Sequence, residues 1–310
     1  MRNQLKVYAA TLVAITFWGL SYIWSNRLLS QGIPVEYFLP IRIFIASIIL
    51  FVINLLCGYD MRIKSGDIRN FLLLALCEPF IYFFCETYGI QFTESPTISA
   101  LVIASTPVVA IAAGVIFFNE KITWQHVVGM VVCLAGLVMV TRAQAGTSRL
   151  FIFGILVLVF AVFAEVGYAS FTKCLSGGYR PSVIVMYQFL IGTVFFIPLF
   201  LTRGMENYDA AIYLGPGFWE SVLCLSVLCS SVAFALWAFS IKHLGVAKSS
   251  IFQAMTPIVA ALAAVILGEE KLCALQWVGL GIAVGGVVLT QLNLGSKSLF
   301  SSKTCESEGR

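Results

Sequence analysis

The chain has 310 residues, 60% of them hydrophobic and 11% charged, with a net charge of +4 and a mean hydropathy of +0.95. A soluble domain carries about 25% charged residues and must wet its surface, so this composition excludes most soluble enzymes, nucleic-acid binders and disordered proteins. It reads instead as an all-α polytopic membrane protein.

A spanning helix needs about 20 apolar residues. In chain order such segments fall at 7–26, 36–56, 69–91, 97–118, 123–141, 150–173, 182–202, 218–241, 247–267 and 273–292. The first follows the basic start MRNQLK, but it is too long for a signal peptide and leads directly into the second. It is therefore expected to stay as an uncleaved helix. The connections leave no room for an extramembrane domain, and 295–310 reads as a polar, disordered cytoplasmic tail. Most of the nine cysteines lie in apolar runs or the tail, without a CxxC pair, and only two histidines occur. No metal or cofactor is expected.

Loop charges orient the ten segments. With the N-terminus inside, the inner loops hold Arg2, Lys6, Arg62, Lys64, Arg69, Lys121, Lys173, Arg180, Lys242, Lys248, Lys297, Lys303 and Arg310. The outer loops hold only Arg27, Arg142, Arg149, Arg203 and Lys271. The inner excess predicts ten spans with both termini cytoplasmic.

An internal repeat divides the chain. Residues 99–138 and 249–288 align without gaps at an offset of 150, with fifteen of forty positions identical. These include Thr106-Pro107, Glu120-Lys121, Gly129 and Gly136, matched by Thr256-Pro257, Glu270-Lys271, Gly279 and Gly286. Five helices per copy is an odd number, so the second copy is expected upside down relative to the first, as in many secondary transporters. The expected domains are repeats over 1–146 and 147–294. Gly129 with Gly136 and Gly279 with Gly286 favour close helix packing, and Gly281 with Gly285 adds a GxxxG; a homodimer through these faces stays open.

Intramembrane polar residues mark the candidate site. Pro107 and Pro257 fall inside their segments, where proline frees a carbonyl that needs a partner in protein or a watery cavity. Glu78, Tyr82 and Glu86 share one helical stripe, the outer two about 12 Å apart along the axis. Glu165 lies in the sixth segment. Each central acid costs about 3 kcal/mol on insertion scales, which drives all three to face inward. Arg42 lies at the depth of Glu86, so an Arg42–Glu86 pair is one expectation. Glu78 and Glu165 have no base at matching depth and are candidates for binding a proton or a substrate amine. Trp18 and Tyr22 share a face with Asn26, Gln253 and Thr256 share one with Ser249, and Ser226 with Ser230. Tyr187 and Gln188 interrupt the seventh segment. Singly, such residues also serve as helix–helix contacts; together they outline a cavity with aromatic walls for a small organic solute. Segments one, three, four, six, eight and nine are expected around it.

No GxxxxGK[ST] motif is present, so ATP is not the expected drive. Asp60, Asp67 and Asp209 lie in loops, which argues against an intramembrane aspartyl protease.

These features resemble the EamA-type drug/metabolite transporter superfamily. The resemblance rests on STPVVAIAAGVIFFNEKITWQHVVG and MTPIVAALAAVILGEEKLCALQWVG, with FWGLSYIWSN and IRIFIAS in the first two segments. It covers nearly the whole chain. It implies a secondary carrier of the cell membrane, often an exporter of amino acids or related metabolites, with its cavity between the halves. The halves differ: Gln188 aligns with Arg42, and Ala164 with Trp18. The expected function is alternating-access transport of small organic metabolites, with proton coupling open. A passive uniporter and, less favoured, a membrane enzyme acting on lipids are the alternatives. The expected partners are the solute and the bilayer, with no nucleic acid.

Overall fold

The structure, a computed structural model, describes residues 2–106, 108–109, 124–142, 148–204, 215–244, 249 and 252–291. Among these, ten helical segments and no strands are found. They are α1 (Arg2–Ser30), α2 (Val35–Leu56), α3 (Ser65–Thr93), α4 (Pro96–Ile103) and α5 (Trp124–Arg142), then α6 (Arg149–Leu175), α7 (Pro181–Gly204), α8 (Pro216–Leu244), α9 (Thr256–Ile266) and α10 (Ala274–Gln291). Six of them (α1, α2, α3, α6, α7 and α8) are long and apolar enough to cross a membrane. The expected fourth and ninth segments, at 97–118 and 247–267, run partly outside the described residues, and the tail at 295–310 lies wholly outside them.

Local chemistry sets several boundaries. Ser95 caps α4 by accepting the Ile98 N–H at 3.2 Å, and Ser148 caps α6 by accepting that of Phe151 at 3.1 Å. Proline stands at the first turn of α4, α7, α8 and α9, where its missing N–H costs nothing. Gly268 closes α9 at φ 74°, a left-handed conformation that glycine adopts without strain.

Two helices are wound loosely in the middle. In α3 the stretch Leu76–Ile81 is a π-helix, and Glu78 has the extended angles φ −148°, ψ 123°. Pro79 explains the break: it has no N–H to donate and pushes the residue before it out of the helical region. In α8 the π-helical stretch is Cys224–Ala233. Here Ser231 Oγ donates to Ser226 O, five residues back, at 2.8 Å. The positions matched to 76–81 at the 150-residue offset are 226–231, so the two loose windings fall at equivalent places.

The Thr-Pro segments also behave alike. Each carries a turn just before the threonine, at 104–105 and at 254–255. Ser105 N and Val108 N donate to Val102 O and Ser105 O, while Met255 N and Ile258 N donate to Phe252 O and Met255 O. Pro257, expected inside its segment, falls just after such a turn. The winding is broken first, and Pro257 opens α9, where proline is tolerated. Pro107 lies outside the described residues.

The repeat glycines bring backbones together inside the chain. A Cβ at Gly286 would sit 2.3 Å from Cys133 N, and one at Gly136 would sit 2.3 Å from Ala283 N. This face holds α5 against α10, whereas Gly281 and Gly285 are exposed. A Cβ at Gly192 of α7 would meet the Pro79 ring of α3 at 2.3 Å. The main core runs through α1, α2, α3, α6, α7 and α8 and closes around a polar centre.

Candidate functional site

The polar centre is a small cavity of about 30 Å³ lined from α1, α2, α3, α4, α6, α8, α9 and the stretch before α9. It has room for a water-sized molecule. Of the residues predicted from the sequence, Trp18, Tyr22, Arg42, Glu78, Tyr82, Glu86, Glu165, Gln253 and Thr256 all line it. Pro257 is buried but stands behind Thr256 and does not reach the cavity. The expected ring of helices omitted α2, which contributes Arg42.

The arginine and the three acids here are nearly inaccessible: Arg42 is 2% exposed, Glu78 3%, Glu86 7% and Glu165 7%. The Arg42–Glu86 pair is not formed. Arg42 Nε instead donates to Ser230 Oγ at 2.8 Å, and its guanidinium carbon lies 4.4 Å from the centre of the Phe83 ring. The reason is geometric: the loose winding of α8 brings a hydroxyl to the arginine, and Phe83 offers it an aromatic face. Glu86 accepts from Tyr82 OH at 3.0 Å, the i, i+4 partner of its own stripe.

Glu165 joins three parts of the chain. Thr106 Oγ1 lies 2.5 Å from its Oε2, and Gln253 Nε2 donates to its Oε1. The threonines before the two repeat prolines stand differently: Thr256 lines the cavity, whereas Thr106 is tied to it through Glu165. Thr106 holds Glu165, and Thr256 presents a hydroxyl with no partner among the described residues. The Trp18 indole N–H and the Tyr168 hydroxyl are likewise buried without a partner. Glu78 enters the cavity from the extended break in α3 and makes no hydrogen bond among the described residues.

The walls are aromatic. Phe234 packs 5.0 Å from Trp18, 5.6 Å from Phe83 and 6.1 Å from Tyr168, measured between ring centres. Phe83 and Phe234 were not singled out in the sequence, where 25 phenylalanines look alike. Ser21, one residue before Tyr22, was also missed.

Several predicted polar positions serve elsewhere. Tyr187 OH donates to Met61 O at 2.7 Å, outside the cavity. Ser226 Oγ donates to Val222 O at 2.6 Å within α8. Gln188 and Ser249 are fully buried and do not line the cavity, and their side-chain polar atoms find no partner among the described residues. No cluster of three His, Cys, Asp or Glu side chains able to hold a metal ion occurs among the described residues.

Chemically, the cavity offers one cation, three carboxyl groups, free hydroxyl and indole donors, and aromatic faces. Neither Arg42 nor any of the three acids is used up in an ion pair among the described residues.

The chain matches the EamA-like transporter family twice, over residues 5–142 and 152–292. It is 24% identical over 298 residues to an uncharacterized transporter, YetK, of Bacillus subtilis, covering 94% of this chain and 88% of that protein. It is 26% identical to a probable terminal-alkyne amino-acid exporter of Streptantibioticus cattleyicolor, covering 93% and 94%. It is 20% identical to a probable amino-acid metabolite efflux pump of Escherichia coli, covering 91% and 94%. A solved crystal structure at 17% identity shares the fold with a TM-score of 0.67, over 91% of this chain and 96% of that one. The protein is a multi-pass membrane protein and belongs to the EamA-like transporter family.

Proposed function

We propose that this transporter is a secondary carrier of small organic metabolites that bear both an amine and a carboxylate, amino acids or their relatives. The observation that carries the reading is the unpaired coexistence of Arg42 with Glu78, Glu86 and Glu165 in one cavity. A zwitterion complements that set, its carboxylate on the guanidinium and its ammonium on a carboxyl group. Trp18, Phe83 and Phe234 would pack against its side chain. The names of two relatives, an amino-acid exporter and an amino-acid metabolite efflux pump, support this class and the outward direction.

In this reading the chain forms ten spans as two inverted five-helix repeats, 1–146 and 147–294, with both ends cytoplasmic. The 150-residue repeat, the matched loose windings and the two family matches support it. Alternating access follows: a cavity of about 30 Å³ is too small for an amino acid, so helices must part for solute to enter. One carboxyl group would exchange a proton as solute leaves.

The test is counterflow in proteoliposomes against a panel of amino acids, amines and small acids. Uptake driven by internal amino acids supports the proposal. Uptake indifferent to every solute in the panel refutes it. An imposed pH gradient that leaves the rate unchanged would turn the reading to a passive uniporter.

A further inference from the structure

A second concavity, of about 650 Å³, shares no lining residue with the central cavity. It lies at the end of the bundle where α1 begins, because Thr11 of α1 and Ser240 of α8 have their hydroxyls 2.7 Å apart just above it. Three stretches distant in sequence form it: the α2–α3 connection, the α6–α7 connection and the last turns of α8.

Arg62, Lys64, Arg180 and Lys242 line this space, with Asp60 as its one carboxylate. Asp60 is already engaged, accepting the backbone N–H of Arg62 at 3.0 Å. Two of the basic side chains are held by groups that do not neutralise them. Lys242 Nζ donates to Tyr179 O at 3.3 Å, and the Arg180 guanidinium lies 4.1 Å from the centre of the Tyr59 ring. None of the four forms an ion pair among the described residues. An excess of Lys and Arg at one end of a membrane protein follows from topology alone. Topology does not require them to converge on one hollow, nor to be oriented there by uncharged partners. Arginine's planar fork and lysine's point charge both suit phosphate oxygens.

We propose that this hollow binds a phosphate-bearing anion, with Arg62, Lys64, Arg180 and Lys242 as its ligands. The site is separate from the central cavity and does not depend on what that cavity carries. Its position at the helix ends makes an anionic phospholipid headgroup one source of the phosphate, and a soluble phosphate compound the other.

The purified full-length chain can be tested with two probes, phosphatidylglycerol and pyrophosphate. Native mass spectrometry compares phosphatidylglycerol with phosphatidylcholine on the wild type and on Arg62→Gln/Arg180→Gln/Lys242→Gln. About tenfold weaker retention of phosphatidylglycerol by the variant, with phosphatidylcholine unchanged, supports the site and assigns it to lipid. A rise of a few degrees in melting temperature with pyrophosphate over ionic-strength-matched chloride, seen only in the wild type, supports it and assigns it to a soluble anion. Equal phosphatidylglycerol retention by both proteins, together with no pyrophosphate effect beyond chloride, overturns the proposal. If the triple variant does not fold, Arg180→Gln and Lys242→Gln are read singly by the same two assays, and unchanged binding in both overturns it.

Discussion

Arg42 and Ser230 meet at 2.8 Å, the guanidinium of α2 donating to a hydroxyl that the loose winding of α8 presents. The contact links the two sequence repeats beside the cavity and leaves the other guanidinium donors without a hydrogen bond among the described residues. A charge buried to this degree depends on such partners. Ser230→Ala should therefore lower stability by about 2 kcal/mol, the scale of a buried hydrogen bond to a charged group. Thermal unfolding in detergent reads this, and an unchanged melting temperature would show that Phe83 alone holds the arginine.

Glu165 is held in the cavity by Thr106 and Gln253. Glu165→Gln keeps the size of the side chain and removes its capacity for charge and proton exchange. Transport is expected to fall at least tenfold, and any pH dependence of the rate should flatten. Glu78→Gln should behave similarly, since Glu78 has no hydrogen-bond partner to satisfy among the described residues. If Gln at both positions leaves the rate and its pH profile unchanged, neither acid takes part.

The glycines of α10 separate into two classes. Gly286→Val places a Cβ within 2.3 Å of the Cys133 backbone nitrogen, a contact that forces α5 and α10 apart. Little folded protein is expected. Gly281→Ala meets nothing within 4 Å and should fold normally. Yields of monodisperse protein on size exclusion compare the two, and equal yields would contradict the packing described for α5 and α10.

At the end of α1, Arg27 pairs with Glu269 at 2.7 Å, and Glu270 accepts from Thr97. The ion pair is partly exposed, so Glu269→Gln should cost no more than about 1 kcal/mol of stability. Its larger effect is expected on access. Glu269→Gln/Glu270→Gln removes charged ties between the α9–α10 connection and α1 and α4. A cysteine placed at Ser21 should then react faster with a membrane-impermeant maleimide added from that end. An unchanged labelling rate would mean that these ties do not hold that end closed.

How much of this was legible in the sequence depends on the kind of signal. Helical spacing placed Tyr82 with Glu86, and Gln253 with Thr256, on shared faces that do line the cavity. The scarcity of intramembrane charge pointed to Arg42 and the three acids for the same energetic reason that keeps them off lipid. Depth along a helix did not reveal direction. Arg42 and Glu86 were expected at matching depth, yet the arginine turns to Ser230. Pro79 announces the break in α3, whereas nothing in CLSVLCSSVA comparably marks the loose winding of α8. That winding follows from packing between distant segments, as do the wall positions Phe83 and Phe234.

In the proposed carrier Arg42 receives a carboxylate while the acids receive an amine. Counterflow of an amino acid against its decarboxylated amine, compared in the wild type and Arg42→Gln, tests this assignment most directly. The wild type is expected to favour the amino acid at least tenfold, and Arg42→Gln is expected to lose this preference while still carrying the amine. An amino-acid-to-amine ratio unchanged by the substitution would contradict it.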